Sequence, residues 1–148
     1  MTVDNILSRL PYSEPFLFVD KIISIAENGV TGTYQFKEDS YFYQGHFKDL
    51  PVTPGVILTE CMAQIGVVCL GIYLLLEENK EKTVEGKMPK IAMSSCEVDF
   101  YLPVYPGEKV KVVSKKEYFR FNKLKCETEM YNFSGKLVCK GKIAGMIF

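Results

Sequence analysis

The sequence predicts an α+β protein in which an antiparallel sheet curls around one long buried helix. Three observations support this fold class. One apolar run, residues 55–76, is long enough for roughly six helical turns. Two segments rich in β-branched and aromatic residues precede the run, and four follow it. Clusters of Pro, Gly, Asn and Ser separate these segments, as is typical of antiparallel strands joined by short turns.

The elements before and within the helix are set by turn and breaker residues. Asn28-Gly29 is a strong hairpin signal between two apolar segments. Pro51 keeps the segment before the helix irregular. The predicted elements are a short amphipathic helix or turn in residues 1–10, strands at 16–25 and 30–36, a loop at 37–53 and a helix from Pro54 to about Glu78.

The elements after the helix complete the sheet. Residues 79–88 form a charged connection and are predicted to be the most mobile segment. Pro103, Pro106 and Gly107 break the chain between the first two strands of this half, and Ser134-Gly135 forms the last turn. The predicted strands are residues 90–100, 109–120, 123–133 and 137–148.

Length and charge limit the possible functions. The chain has 148 residues, and we expect residues 1–148 to form a single domain with one core. Its 18 basic and 18 acidic residues balance, which argues against nucleic-acid binding. Residues 1–50 and 51–100 each carry four basic and seven acidic residues, whereas residues 101–148 carry ten and four. This basic third could receive an acidic partner, or could be a solvated strand face.

The apolar run also has the length of a membrane span. Glu60 and Gln64 lie inside it, together with Gly66 and Gly71, which favours a helix buried in a protein core. The five cysteines show neither Cys-x-x-Cys spacing nor metal-type clustering with the single histidine. We therefore expect reduced thiols, a cytoplasmic location and no bound metal.

The start of the helix carries the residues with the clearest chemistry. Thr53 is a suitable N-cap, and Pro54 suits the first helical position. The N–H groups of Gly55 and Val56 would then lie free at the positive end of the helix dipole, where they could stabilise a carbonyl oxygen that gains negative charge.

Two titratable residues flank these donors. Glu60 lies among apolar neighbours, which should raise the pKa of its carboxyl group. His46 precedes the helix and is a candidate base near neutral pH. Acid, base and oxyanion donors together suit proton abstraction next to a carbonyl. Taken singly, each residue has a structural explanation: a hydrogen-bonded histidine, a helix start, and a Glu60–Gln64 polar stripe on a core helix.

The spacing of these residues resembles that of a known family. His46-Phe47, Pro51, Pro54-Gly55 and Glu60 match the pattern His-Phe-x-x-x-Pro-x-x-Pro-Gly-x-x-x-x-Glu of the FabZ-type 3-hydroxyacyl-[acyl-carrier-protein] dehydratases. Residues 10–20 are similar to the family's opening, and residues 100–108 to its aromatic-Pro-Val-x-Pro-Gly-acidic segment. The resemblance covers nearly the whole chain and implies a hot-dog fold.

The resemblance implies a reaction and a set of roles. His46 would take the C2 proton of a 3-hydroxyacyl thioester, Glu60 would help the C3 hydroxyl leave, and the Gly55 N–H would hold the thioester oxygen. No cofactor is implied. Four residues are expected to contact substrate: Val56, Phe47, Gln64 and Met93.

The resemblance also implies partners. In the resembling enzymes each site joins His from one subunit to Glu from the other, so a homodimer is expected, with a trimer of dimers as a further possibility. The substrate would arrive on an acyl carrier protein. Because carrier proteins are acidic, we expect docking on a basic segment comprising Lys115, Lys116, Arg120 and Lys123, with Lys125 beside it.

Three departures from the family pattern leave its branch open. Tyr12 stands where the family usually has His, and it cannot shuttle protons near pH 7. Lys48 replaces a common Pro, and residues 90–93 contain no clear aromatic gate. The pathway could make fatty acids or dedicated polyene or aryl lipids.

Other functions remain alternatives. The sister dehydratase–isomerases carry Asp at the position of Glu60, and hot-dog thioesterases generally lack the His-loop motif. A non-catalytic subunit that binds acyl chains or scaffolds a partner is a third alternative.

Overall fold

The computed structural model describes residues 3–78 and 89–148. Over these residues a six-stranded antiparallel sheet curves around one long helix, as the sequence predicts. The strand order is β1-β2-β4-β5-β6-β3, so that β1 and β3 form the two edges. The strands are β1 (Lys21–Ala26), β2 (Gly29–Gln35), β3 (Ile91–Phe100), β4 (Lys109–Arg120), β5 (Lys123–Asn132) and β6 (Leu137–Ile147).

The remaining elements are helical. A short helix, α1 (Val3–Leu7), opens the described chain, and a 3-10 turn (Tyr41–Gln44) lies in the predicted loop. The central helix runs without interruption over Gly55–Glu77. It consists of α2 (Gly55–Ala63), a π-helical segment (Gln64–Cys69) and α3 (Leu70–Glu77).

The central helix is the core of the fold. Its length and composition would allow it to cross a membrane, but 78% of its most apolar stretch is buried inside the protein. The Ser114 hydroxyl of β4 donates to the Gly66 carbonyl (2.9 Å) within the π-helical segment. The central helix is therefore fastened to the middle of the sheet.

The central helix runs antiparallel to β3. At its start, a Cβ added to Gly55 would lie 3.2 Å from the Phe100 ring, at the end of β3. Near its end, Gly71 lies against Ile91, at the beginning of β3. The N-terminus of the helix thus lies at the same end of the sheet as Phe100.

The prediction of a strand over residues 16–25 is wrong for its first five residues, because β1 begins only at Lys21. Residues 10–20, which we call the N-terminal strap, are held by the helix instead. The Phe18 N–H donates to Gln64 Oε1 (2.8 Å), and the Cys61 thiol donates to the Phe18 carbonyl (3.4 Å). The backbone N–H and carbonyl of Phe18 are therefore bonded to helix side chains and are not available for pairing with a strand.

Of two other predictions, one differs in detail from the structure and one concerns residues that the structure does not describe. The first hairpin is displaced by one residue, because Ala26 pairs with Gly29 and leaves Glu27 and Asn28 as the loop. The predicted mobile connection at residues 79–88 lies outside the described residues. The four later strands agree with the prediction to within one residue at each end, and β4 agrees at both ends.

The edge strand β3 is exposed on both faces. Residues 92–97 are all exposed, including Met93 (42%), whose face of the sheet elsewhere covers the helix. On its paired side, β3 lies very close to β6. A Cβ added to Gly141 would meet the Glu97 carbonyl oxygen and lie 2.7 Å from the Val98 Cα.

Gly141→Ala should loosen β3 from the sheet. The new methyl group would meet backbone atoms that cannot move aside, so we expect a loss of about 1–3 kcal/mol in the free energy of unfolding. Urea unfolding measures this loss. Gly45→Ala is the control, because its Cβ would have no heavy atom within 4 Å. Equal stability of the two variants would contradict the close approach.

Candidate active site

Pro54, not Thr53, is the residue that caps the central helix, so the predicted Thr53 cap is wrong. The Thr53 hydroxyl is hydrogen-bonded to the Tyr43 hydroxyl (2.6 Å), and the Thr53 N–H donates to the Val104 carbonyl (2.8 Å). Thr53 therefore anchors the entry to the helix in the core and leaves the first turn without a side-chain cap.

The first turn of the helix presents free N–H donors. The N–H groups of Ile57 and Leu58 both donate to the Pro54 carbonyl (2.9 and 3.1 Å). Those of Gly55 and Val56 come earlier in the turn and have no acceptor within the helix. Beside them is a depression of about 380 Å³, lined by Thr53, Gly55, Leu58 and residues 100–103. An oxygen that gains negative charge could be held there.

His46 is oriented by the backbone of its own loop. Its Nδ1 lies 2.8 Å from the Val52 carbonyl oxygen, and the Val52 N–H donates to the His46 carbonyl (2.8 Å). Because a carbonyl oxygen can only accept, the neutral ring carries its proton on Nδ1 and keeps the Nε2 lone pair available as a base. The Phe47 ring stacks on the imidazole, with 4.1 Å between ring centroids.

Glu60 lies one turn into the helix and is half-buried. Burial raises the pKa of its carboxyl group, and a hydrogen bond from Gln64 Nε2 to Oε2 (3.0 Å) opposes that rise. Burial, followed by the charge of Glu60, also raises the pKa of the nearby Tyr12 hydroxyl. Tyr12 is therefore neutral at physiological pH.

The predicted substrate residues have different surroundings. Val56 (77% exposed) and Phe47 (55%) are open to solvent near the helix start, and Met93 lies on the β3 edge. Gln64 has no exposed surface (0%). The structure therefore leaves Val56, next to Gly55, and Phe47, stacked on His46, open to solvent, and it encloses Gln64 beneath the N-terminal strap.

The candidate acid and the candidate base do not contact each other in the described chain. Among the residues that the structure describes, no hydrogen bond or ion pair links His46 to Glu60. His46 is connected to the Gly55 end of the helix through residues 52–53, whereas Glu60 faces Gln64 and Tyr12. In the described part of the chain, no three His, Cys, Asp or Glu side chains are grouped as a metal ion would require.

The predicted docking residues lie at the opposite end of the molecule. Lys116 approaches Glu27 (3.7 Å) and borders a depression shared with Tyr73 and Glu77, near the end of the central helix. The 23-residue helix separates this end from Gly55 by roughly 30 Å. Lys115 faces Glu127 across the strands, but Arg120 and Lys123 face each other.

Two features of the site were not predicted from the sequence. Phe100 lies against Gly55 and forms one wall of the depression. The Tyr43–Thr53 hydrogen bond sets the path of the loop between His46 and the helix. Phe100 opens a segment already matched to a family motif, and that motif was the available signal. The Tyr43–Thr53 pair had no comparable pattern.

Comparison with protein families identifies a FabA-like domain over residues 10–146. A 3-hydroxyacyl-[acyl-carrier-protein] dehydratase FabZ from Clostridium perfringens is 33% identical over 147 residues, which cover 97% of this chain and 96% of that relative. A FabZ dehydratase from Caldicellulosiruptor saccharolyticus is 36% identical over 146 residues, with 95% and 94% covered.

Solved structures share the fold at low sequence identity. The dehydratase heterocomplex ApeI:P from Xenorhabdus doucetiae matches with a TM-score of 0.77 at 16% identity, covering 99% of this chain and 90% of that one. A thioesterase from Haemophilus influenzae matches with a TM-score of 0.66 at 15% identity, covering 100% and 91%. These matches confirm the hot-dog fold expected from the sequence.

Glu60→Gln should change how stability depends on pH. The raised pKa of Glu60 means that the folded state holds this proton more tightly than the unfolded state, whose pKa is near 4.5. Wild type therefore loses stability relative to the variant as pH rises from below 4.5 through the folded-state pKa. Urea midpoints between about pH 4 and about pH 8 measure the difference.

Glu117→Gln is the control of opposite sign. An ion pair with Lys142 (2.8 Å) lowers the pKa of Glu117, so wild type should lose stability relative to this variant as pH falls. Solvent screening keeps that effect small, because the pair is at the surface. Parallel pH dependence in the two variants would contradict the raised pKa of Glu60.

Proposed function

This chain belongs to the family that carries the FabA-like domain, and from that premise we propose that it dehydrates 3-hydroxyacyl thioesters on an acyl carrier protein to trans-2-enoyl thioesters. One observation carries the proposal. The uncapped N–H groups of Gly55 and Val56 open onto a depression, with a carboxyl group of raised pKa one turn along the helix and an oriented imidazole in the preceding loop.

Each group has one role in the proposed reaction. Nε2 of His46 takes the C2 proton, and the electron pair of that C–H bond forms the C2–C3 double bond as the C3–O bond breaks. Glu60 gives its proton to the departing hydroxyl, which leaves as water. The Gly55 N–H, with that of Val56, stabilises the charge that builds up on the thioester oxygen. Positioned acid–base catalysis suffices, so the reaction as proposed uses no cofactor.

A second copy of the chain is proposed to complete the site. The outer edge of β3, ten residues long, has no strand partner in the described sheet, and soluble proteins usually cover such an edge. Met93 (42% exposed) and Phe100 (48%) lie on its inner face and remain partly open to solvent, although Phe100 lies against Gly55. Pairing of β3 with its symmetry mate would join the two sheets and cover this apolar strip.

The dimer would combine groups from both chains. A twofold axis close to the Phe100 ends of the joined strands would bring the starts of the two central helices toward each other, because Phe100 lies against Gly55. In this arrangement His46 and the Gly55 N–H come from one protomer, and Glu60 from its partner. The absence of a His46–Glu60 hydrogen bond within one described protomer supports this division.

The same axis would also bring the basic segment of the partner subunit closer to the Gly55 end of the helix. Within one chain, Arg120 and Lys123 are at the wrong end of the helix for a carrier that delivers substrate to Gly55. In the dimer, Lys123 of the partner subunit would lie two strands, roughly 10 Å, from the joined edges. Arg120 of the partner subunit would lie three strands, roughly 14 Å, away.

Arg120 and Lys123 are the best candidates for binding an acidic carrier. They are direct neighbours across β4 and β5, and the next residue in the same row is Met146 of β6. Lys115 and Lys116, by contrast, have Glu127 and Glu27 nearby. We therefore place the docking surface at Arg120 and Lys123, with the other two lysines at its margin. A role in cytoplasmic fatty-acid or related polyene-lipid synthesis follows from this substrate class.

His46→Ala and Glu60→Gln should each leave a folded protein with turnover reduced at least about 100-fold. Mass spectrometry of 3-hydroxyacyl and trans-2-enoyl carrier thioesters follows the gain or loss of one water. Refolding the two variants together at equal amounts should restore about a quarter of wild-type activity, because half of the dimers are mixed and each mixed dimer holds one intact site.

Three results would contradict this proposal. Near-wild-type turnover of Glu60→Gln would make Glu60 structural. Failure of mixed refolding, with both variants folded and dimeric, would place acid and base in the same chain. Release of free carrier thiol by wild type would identify a thioesterase.

Reversing the charges of Arg120 and Lys123 to Glu should raise KM for carrier-bound substrate roughly tenfold and leave kcat nearly unchanged. A short pantetheine thioester should react at the wild-type rate, because it needs no docking surface. The control reverses Lys109 and Lys111, which lie on the same strand β4 but at the other end of the sheet. A larger effect of the control would place the carrier on the chain that supplies Gly55.

A further inference from the structure

The Gln64 side chain is fully buried, and its amide group forms three hydrogen bonds. Its Oε1 accepts from the Phe18 N–H (2.8 Å), and its Nε2 donates to the Phe16 carbonyl (3.1 Å) and to Glu60 Oε2 (3.0 Å). Gln64 is also the first residue of the π-helical segment, a kind of local widening that is frequent at functional sites. The amide therefore connects the N-terminal strap to the candidate acid.

The orientation of this amide is determined by its backbone partners. A backbone N–H can only donate and a carbonyl can only accept, so the oxygen must face Phe18 and the nitrogen must face Phe16. A flipped amide would place two donors against each other and two acceptors against each other. Toward Glu60, Gln64 can consequently present an N–H and never an acceptor.

This restriction distinguishes the two oxygens of Glu60. When the carboxyl group is protonated, its carbonyl-type oxygen is the better acceptor, and Oε2 already receives the Gln64 N–H. The proton is therefore favoured on Oε1. We propose that Gln64 is a positioning residue that keeps the acidic proton of Glu60 on Oε1, the oxygen that faces away from the amide and is left for the substrate hydroxyl. This inference rests on the proposed dehydratase function.

The strap gives the amide its rigidity. Phe18 is 2% exposed, and its ring lies edge-to-face against Tyr34 (5.7 Å between ring centroids). Since the Phe18 backbone cannot move without disturbing this aromatic packing, the amide of Gln64 cannot rotate. The other titratable groups close to Glu60 are Tyr12 on the strap and Cys61 on the helix, and burial raises the pKa of both. Both are therefore protonated near neutral pH, and neither places a negative charge beside Glu60.

Gln64→Met tests the positioning role, because Met has a similar volume and makes no strong hydrogen bonds. We expect kcat to fall roughly 10- to 100-fold while KM stays within about twofold. Loss of the N–H donor should also raise the pKa of Glu60, and the alkaline limb of the dehydration profile should move to higher pH. The pKa is read separately by ¹³C NMR titration of labelled carboxyl groups, with Glu60→Gln identifying the resonance.

Gln64→Glu gives a second and different test. It keeps an acceptor for the Phe18 N–H but places a second carboxyl group beside Glu60, and the two should share one proton. We expect kcat to fall although a proton is still bound, because the shared proton lies between the carboxyl groups and not on Oε1. A coupled two-step titration in the NMR experiment would identify the shared proton.

Cys61→Ala is the matched control, since it removes another strap contact from the same helix and leaves the Gln64–Glu60 hydrogen bond intact. It should lower stability without moving the Glu60 titration or the pH limb. If Gln64→Met behaves like Cys61→Ala, Gln64 is only structural and the inference fails. If wild type shows no dehydration while Gln64→Met still shifts the Glu60 pKa, the proposed function fails and the contact stands.

Discussion

A 23-residue apolar helix needs cover on every side, and one sheet can cover only part of it. The curved sheet encloses one face, with Ser114 fastened to the π-helical segment. The N-terminal strap covers a second face through Gln64 and Cys61. Phe100 and Ile91, at the two ends of β3, lie against the helix, while residues 92–97 between them stay exposed. The need to cover the helix therefore explains why the strap leaves the sheet.

The candidate site lies where this cover is thinnest. At the start of the helix, Gly55 leaves room for Phe100, and the first N–H groups are neither capped nor bonded within the helix. One turn further, burial raises the pKa of the Glu60 carboxyl group, which receives one N–H from Gln64. The positive end of the dipole and the candidate acid thus lie on one rigid element. Such an element can stabilise a transition state without rearranging during the reaction.

Most of the fold could be predicted from sequence because its signals are local. The four later strands and the central helix follow from alternation, length and turn residues. Both predicted ends of β4 agree with the structure. The strand prediction fails for the strap because residues 16–20 have strand-like composition, while Phe16 and Phe18 form hydrogen bonds with Gln64 and Cys61, more than 40 positions away. Thr53 is a residue type that commonly caps helices, but its hydroxyl forms a hydrogen bond with Tyr43 and does not cap the helix. For the site, residue types and spacing predict the acid, the base and the donors, and these roles stay predictions. Sequence alone could not show that Glu60 Oε2 accepts the hydrogen bond from Gln64, because this depends on the positions of the atoms.

The place of β3 in the sheet also bears on how the chain reaches its folded state. β1–β2, β4–β5 and β5–β6 are hairpins whose strands are neighbours in sequence. The pairing of β3 with β6 instead joins residues at least 39 positions apart, starting with Phe100 and Cys139. Closing so long a loop costs more chain entropy than closing a hairpin, so we infer that the hairpins form early and that the long-range pairings, β3 with β6 and β2 with β4, are added late. The exposed edge that we propose to pair with a second chain is then one of the last parts of the sheet to form, and partly folded chains lack this proposed dimer surface.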